Sequence, residues 1–169
     1  MTVRDVRLFG DPVLTSRAEE ITDFDEALAL LIEDMFETMD AAGGVGLAAN
    51  QIGVLRRVFV FDCSHTDGGL RGHIVNPVWE AMGEETQTGG EGCLSIPGVK
   101  AETTRFEQVR LSGVDLHGNP VGIVASGLLA RCIQHETDHL DGVLFLKRLA
   151  PEERKAAMGT IRASEWFNR

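Results

Sequence analysis

Residues 134–140 read Gln-His-Glu-Thr-Asp-His-Leu, with His135 and His139 four positions apart. On an α-helix this spacing places both imidazoles on one face, where they can bind one metal ion. Glu136 follows the first histidine and can reach a water molecule beside the metal without being a ligand itself. A surface helix with two incidental histidines is the alternative, but the chain has only five histidines, and this pattern orders two of them around a base. The segment therefore predicts the metal site of a hydrolase.

The third metal ligand decides the class of hydrolase, because such sites usually have three protein ligands and one open position. Phe145 stands where metzincin proteases have a third histidine, which excludes that class. Glu152, Glu153 and Glu165 could supply the downstream glutamate of thermolysin-like proteases, but no further motif surrounds them. Cys93, which follows a cluster of glycines, is the remaining candidate. Spacing alone does not distinguish such a ligand from an inert buried cysteine.

Composition and charge narrow the setting in which the chain works. Its 169 residues suffice for one domain with a core, and its net charge of −10 argues against DNA binding, which needs clustered Lys and Arg. Three cysteines give no disulfide framework. No stretch has the apolar length of a signal peptide or a membrane span. We therefore expect a cytoplasmic protein without membrane contact.

The C-terminal segment differs from the rest of the chain in its charge. Residues 147–169 contain six basic and three acidic side chains, a net charge of +3. A solvated amphipathic helix is the ordinary interpretation of such a segment, and a docking tail is the alternative.

Apolar spacing predicts a first helix over residues 22–42, capped by Asp23 with Glu26 as its capping-box partner and stopped by Gly43. A loop over residues 43–53 should follow. The remaining predicted elements are strands at 57–63 and 74–82, a strand start at 93–97, a hairpin of 106–115 and 120–124 turning at 117–119, a helix from Ser126 to Gly142, and a short helix from Pro151. This order predicts an α+β fold of mostly antiparallel strands packed around the central His-Glu-x-x-His helix, with an N-terminal helix and a short C-terminal helix.

Three segments together resemble the signature motifs of peptide deformylases. They are GVGLAANQ at 44–51, EGCLS at 91–95 and QHETDHL at 134–140, in the order and with the separations typical of that family. The resemblance covers essentially the whole chain and implies a single catalytic domain over residues 1–169. It implies removal of the formyl group from N-terminal formyl-methionine of new polypeptides.

The resemblance also implies a role for each motif residue. Cys93, His135 and His139 would be the metal ligands, and Glu136 the catalytic acid and base. Gln51 and the backbone N–H of Leu94 would bind the oxyanion. Family members commonly use Fe(II), while Zn(II), Ni(II) or Co(II) can occupy the same site.

The substrate is expected to bind as an added strand. The backbone of Val45 and Gly46 and that of the Gly89–Gly90 segment would pair with an extended peptide. The methionine side chain would lie against the residues that precede His135 on its helix face, with the stem of Arg131 in the pocket and its charge in water. Ordinary core packing is the alternative for these residues, which are Val45, Leu128 and Cys132.

Two further expectations concern neighbours and partners. The Gly89-Gly90 stretch and Lys100 depart from the commonest family pattern, and Glu91 is expected to pair with Arg105 behind the Cys93 segment. The protein is expected to be a monomer that acts on formyl-methionyl nascent chains, with a transient ribosome contact through the basic tail. A metallopeptidase that cuts internal bonds and a catalytically inactive binding protein are the rival hypotheses.

Overall fold

The computed structural model describes residues 2–169. Three helices and seven strands form in chain order, with short 3-10 turns at Pro12–Thr15, Ala49–Ile52 and Phe145–Arg148. The main elements are α1 Glu26–Ala42, β1 Gly46–Ala48, β2 Val58–Asp62, β3 Arg71–Ala81, β4 Thr86–Cys93, β5 Ile96–Phe106, β6 Gln108–Val114, β7 Pro120–Ser126, α2 Gly127–Leu140 and α3 Pro151–Arg162. None of the helices in residues 2–169 is both long and apolar enough to cross a membrane.

The strands form two antiparallel sheets that meet around α2. One has five strands in the order β1-β2-β3-β6-β7, and the other consists of β4 and β5. Twelve of the fourteen residues of α2 are buried, because the helix packs against both sheets. The predicted α+β class, with antiparallel strands around the His-Glu-x-x-His helix, is confirmed.

The first helix is shorter at its start than the sequence predicted. The side chain of Asp25, not Asp23, caps α1 by accepting a 3.0 Å hydrogen bond from the Leu28 N–H. The prediction was wrong because Asp25 directly precedes the first helical residue, which is where a cap must stand. Gly43 ends the helix as expected, with a φ of 68° that favours glycine.

Strands around the glycine-rich segments were missed. β1 lies inside the predicted loop at 43–53, and residues 93–97 are the end of β4, a two-residue turn and the start of β5. Glycines at three positions of β4 lower its apparent strand propensity. The predicted hairpin of β6 and β7 is confirmed, since the Asp115 N–H donates to the Asn119 carbonyl at 2.9 Å. The last helix begins at Pro151 as predicted.

Candidate metal centre and substrate cleft

The two sheets bring Cys93 against the His-Glu-x-x-His face of α2. Cys93 lies at the end of β4, and its Sγ is 3.4 Å from His139 Nε2, which is 3.1 Å from His135 Nε2. A tetrahedral ion with metal–nitrogen bonds near 2.0 Å and a metal–sulfur bond near 2.3 Å has ligand–ligand edges of about 3.3–3.6 Å. The three atoms lie within 4.8 Å of one another, so the set fits a single metal ion.

Glu91 fixes the orientation of the first of the two histidines. Its Oε2 accepts a 2.7 Å hydrogen bond from His135 Nδ1, which leaves Nε2 free to face the metal position. Arg105 binds both oxygens of Glu91, at 2.6 and 3.1 Å, so the predicted pair is present. Burial opposes ionisation of Glu91, but the hydrogen bonds from His135 and Arg105 outweigh it and hold its pKa well below the ordinary value.

The ion pairs continue from Glu91 toward the C-terminal segment. Arg105 Nη1 donates to Asp138 Oδ2 at 2.8 Å, and Arg148 binds both oxygens of Asp138 at 2.8 and 3.0 Å. Charges therefore alternate from the buried carboxylate behind His135 to an arginine that is half exposed. This row of ion pairs holds α2 against β5 and against the 3-10 turn before α3.

The surroundings of Glu136 suit a group that transfers protons. The residue is buried, and its Oε2 has no hydrogen-bond partner within residues 2–169. A Cβ on Gly46 would lie 2.6 Å from Glu136 Oε1, so only glycine leaves room there. Burial raises the pKa of Glu136 to about 7, against the lowering effect of charge on His135. A carboxyl group with such a pKa can exchange a proton near neutral pH.

The two expected oxyanion donors flank the metal position. Gln51 is buried, and its Oε1 accepts the Ala48 N–H at 3.0 Å, which directs the amide Nε2 toward Cys93 Sγ at 3.7 Å. Nε2 also donates to Ser95 Oγ at 3.1 Å. The backbone N–H of Leu94, in the turn between β4 and β5, has no acceptor within residues 2–169. Gln51 Nε2 and the Leu94 N–H are therefore both available as donors to a substrate oxygen beside the metal position.

Asn50 was not singled out from the sequence. Its side-chain amide donates to the carbonyl of His139 at the end of α2, and it is fully buried. The contact ties the 3-10 turn that carries Gln51 to the helix that carries the histidines. Ser95 was also missed, although it belongs to the Cys93 motif, because its bond to Gln51 joins residues far apart in sequence.

The site opens into a cleft of about 570 Å³ between β1 and β4. Most of the residues expected to bind substrate line it, namely Val45, Gly46, Gly90, Leu128, Arg131 and Cys132. Gly89 lies just behind this wall, where an added Cβ would be 3.6 Å from Arg131 Nη2. Lys100 also lines the cleft, together with Pro97 to Val99 at the start of β5, which sequence reasoning missed.

The position of Arg131 differs from the expectation in one respect. Its side chain is only 8% exposed, and Nη1 binds Glu91 Oε1 at 2.9 Å. The expectation that its charge lies in water is therefore wrong for Nη1, which is paired with the buried Glu91 carboxylate; only Nη2 is left facing the cleft.

A cysteine and two histidines that converge beside a buried glutamate define a metal-dependent hydrolase. The sequence model described as polypeptide deformylase matches residues 3–155. The chain is 81% identical to peptide deformylase 1 of Corynebacterium efficiens and 78% identical to that of Corynebacterium glutamicum, each over the full length of both proteins. A crystal structure of a peptide deformylase from Legionella pneumophila has a TM-score of 0.87 at 40% identity and covers 96% of this chain and 95% of its own.

The chain belongs to the peptide deformylase family. It is a hydrolase that removes the formyl group from the N-terminal formyl-methionine of nascent polypeptides. The expected activity is thus confirmed, and the rival of a catalytically inactive binding protein is set aside.

Proposed function

We propose that Cys93, His135 and His139 hold the single metal ion for deformylation and that this ion is Fe(II) in the cell. The convergence of one thiolate and two Nε2 atoms carries the proposal. The donor set suits iron and zinc alike, and the preference for iron rests on the family resemblance. Zn(II), Ni(II) or Co(II) would replace it in aerobically purified protein, because Fe(II) and Cys93 both oxidise.

The test is anaerobic purification with metal analysis and a formate-release assay on formyl-Met-Ala-Ser. One metal ion per chain, with iron giving the highest kcat/KM, is the expected result. A Cys93→Ala variant, compared with Cys63→Ala as the matched control, should lose the ion. Full metal content in Cys93→Ala would contradict the ligand assignment.

Each step of the reaction can be assigned to a group that faces the metal position. The bound cation supplies the Lewis acidity that makes water a nucleophile at neutral pH. Glu136 accepts a proton from the water as its oxygen bonds to the formyl carbon. The same carboxyl then delivers the proton to the methionine nitrogen as the C–N bond breaks and formate leaves.

Negative charge develops on the formyl oxygen during this attack. Gln51 Nε2 and the Leu94 N–H would donate to that oxygen, Gln51 turning from its present partner Ser95. Loss of one such donor typically lowers the rate about 10²–10³-fold. A Gln51→Leu variant should therefore lose kcat, whereas Ser95→Ala should lose little because it removes only the resting partner of the amide.

The peptide would bind between two free strand edges. Within residues 2–169, β1 ends the five-stranded sheet and β4 pairs only with β5. The backbones of Gly46 and Gly90 line the cleft from opposite sides. A strand added there could pair with Val45, Gly46, Gly89 and Gly90. The methionine side chain would then lie against Val45, Leu128, Arg131 and Cys132. A formyl-Met-Ala-Ser peptide that is N-methylated at alanine should show a raised KM, and an unchanged KM would count against strand pairing.

We further propose that residues 1–169 act as one catalytic domain, as a monomer in the cytoplasm, and that exposed basic residues near the C-terminus touch the ribosome. Removal of residues 151–169 is a poor test of the contact, because Ala157 and Ile161 are buried against β5. Reversal of exposed charges, Lys155→Glu with Arg162→Glu, should reduce co-sedimentation with ribosomes at low salt. An Arg110→Glu control on the outer sheet face should not, and equal behaviour of the two would count against the contact.

A further inference from the structure

The guanidinium of Arg131 has one nitrogen that the protein leaves without an acceptor. Nη1 donates to Glu91 Oε1 and to the Thr103 carbonyl, both at 2.9 Å, and Nε donates to Gln87 Oε1 at 3.3 Å. Nη2 donates to no acceptor within residues 2–169. These three contacts fix the plane of the group, so the direction of Nη2 is fixed as well.

The space beside Nη2 belongs to the wall of the cleft. An added Cβ on Gly89 would lie 3.6 Å from Nη2, in ordinary contact, and glycine has no side chain to cover the nitrogen there. On α2, Leu128 and Cys132 flank Arg131 and line the cleft with it. A charged N–H thus lies at the edge of an otherwise apolar side-chain pocket.

Such a donor favours a ligand side chain that carries a strong hydrogen-bond acceptor over one that carries a weak acceptor. The thioether sulfur of methionine is a weak acceptor, so it gains little from Nη2. A sulfoxide has the same chain length and carries a polar oxygen. A hydrogen bond from a charged donor to that oxygen is about twice as strong as a neutral one and offsets the loss of solvent around it.

We propose that Arg131 makes this pocket accept methionine sulfoxide, so that the enzyme also deformylates peptides that begin with formyl-methionine sulfoxide. The inference rests on the proposed placement of the methionine side chain. Water is consumed, the formyl C–N bond breaks, formate leaves and the amine keeps the proton. The sulfoxide is neither oxidised nor reduced, so no further reactant is needed.

The test compares kcat/KM of the metal-loaded enzyme for three peptides, formyl-Met-Ala-Ser, formyl-Met(O)-Ala-Ser and formyl-norleucine-Ala-Ser. The wild type should turn over the sulfoxide within about tenfold of methionine. Arg131→Met should lower the ratio of sulfoxide to norleucine by about 10- to 100-fold, the value of one hydrogen bond from a charged group. Gly89→Val, which covers Nη2 but keeps the guanidinium, should lower the same ratio.

The ratio separates a role in specificity from a structural one. Damage to Glu91 or to the metal site would lower turnover of all three peptides alike and leave the ratio unchanged. Arg148→Met, which removes an arginine from the same ion-pair chain but does not line the cleft, is the matched control and should keep the wild-type ratio. A wild-type ratio in Arg131→Met, or a thousandfold preference of the wild type for methionine over the sulfoxide, would overturn the proposal.

A Leu128→Trp variant distinguishes failure of the sulfoxide proposal from failure of the proposed position of the methionine side chain. If the side chain of the first residue lies where we place it, the bulky tryptophan should abolish turnover of methionine and norleucine peptides. Unchanged turnover by Leu128→Trp would overturn the pocket assignment and the sulfoxide proposal together. A strong effect at Leu128 with none at Arg131 would overturn the sulfoxide proposal alone.

Discussion

We expect Glu136 to be essential for the reaction and yet dispensable for metal binding. A Glu136→Gln variant keeps the shape of the side chain but cannot take up a proton, so kcat should fall about 10²–10⁴-fold while metal content stays the same. Formate release and metal analysis on the same preparation check this. Full activity in the fully metallated variant would show that another group moves the proton.

Glu91 should show the opposite behaviour. Glu91→Gln weakens the bond that orients His135 and removes the charge that balances Arg105 and Arg131, so metal affinity should fall about 10–100-fold. Competition with a chelator measures the affinity. Glu102→Gln, an exposed change on neighbouring β5, is the control and should keep wild-type affinity.

The proposed metal ligands could be identified from the sequence because the motifs that carry them are local and their chemistry is specific. The residues that hold these ligands in place are harder to predict. Asn50, Ser95 and Arg148 act through contacts that form only when distant segments fold together. Arg131 was singled out, but its buried charge could not be foreseen without knowing that Glu91 lies within reach.

At the scale of the elements, a half-buried histidine couples the hairpin of β6 and β7 to pH. His73 on β3 accepts a 3.0 Å hydrogen bond from the Leu116 N–H through Nε2, and protonation removes this acceptor. Burial lowers its pKa below the ordinary 6.5, with Asp115 acting against this and His117 adding to it. The folded state thus binds fewer protons than the unfolded state.

This contribution of His73 to the free energy of unfolding is therefore complete above pH 6.5 and lost as the pH falls below that value. Urea unfolding at pH 7.5 and 5.5 should show a smaller difference in His73→Gln than in the wild type. His65→Gln, at an exposed position, should keep the wild-type difference. Equal pH dependence in all three proteins would contradict the assignment.

The start of α1 gives a second test at this scale. Asp25→Ala removes the hydrogen bond to the Leu28 N–H and should lower the free energy of unfolding by about 1 kcal/mol. Asp23→Ala, the cap that the sequence favoured, should change it by less than about 0.5 kcal/mol. A larger loss of stability in Asp23→Ala than in Asp25→Ala would instead support the start of α1 that the sequence predicted.

Regular elements were predictable where pattern and end signals agree, as in α2, α3 and the hairpin of β6 and β7. β1 and β4 could not be predicted, because a strand rich in glycine lacks the side chains that indicate strands. Their free edges face the cleft, so the elements that resist prediction are those expected to bind substrate.

At the scale of the whole molecule, a bound metal ion would link the two-stranded sheet to α2, which otherwise contact each other only through packing and side-chain hydrogen bonds. Cys93 belongs to the two-stranded sheet, whereas His135 and His139 belong to the helix that supports both sheets. At a free metal concentration a hundredfold above its dissociation constant, binding stabilises the fold by about 2.7 kcal/mol. Chelation should therefore lower Tm by roughly 5–10 °C.

Thermal unfolding with and without a chelator measures this difference. In Cys93→Ala the two melting curves should nearly coincide, since a ligand is missing. An equally large shift in that variant would mean that the ion stabilises the protein from another position.

The separation of the ligands along the chain also bears on when activity arises. Cys93 can share a metal ion with His139 only after His139 has been synthesised. The helix that carries both histidines must then pack against strands that begin far earlier in the sequence. A nascent chain that ends before His139 lacks one of the proposed ligands, so it cannot assemble the centre. A chain that is still being synthesised therefore cannot deformylate its own N-terminus at that stage. This step depends on enzyme molecules that were completed beforehand.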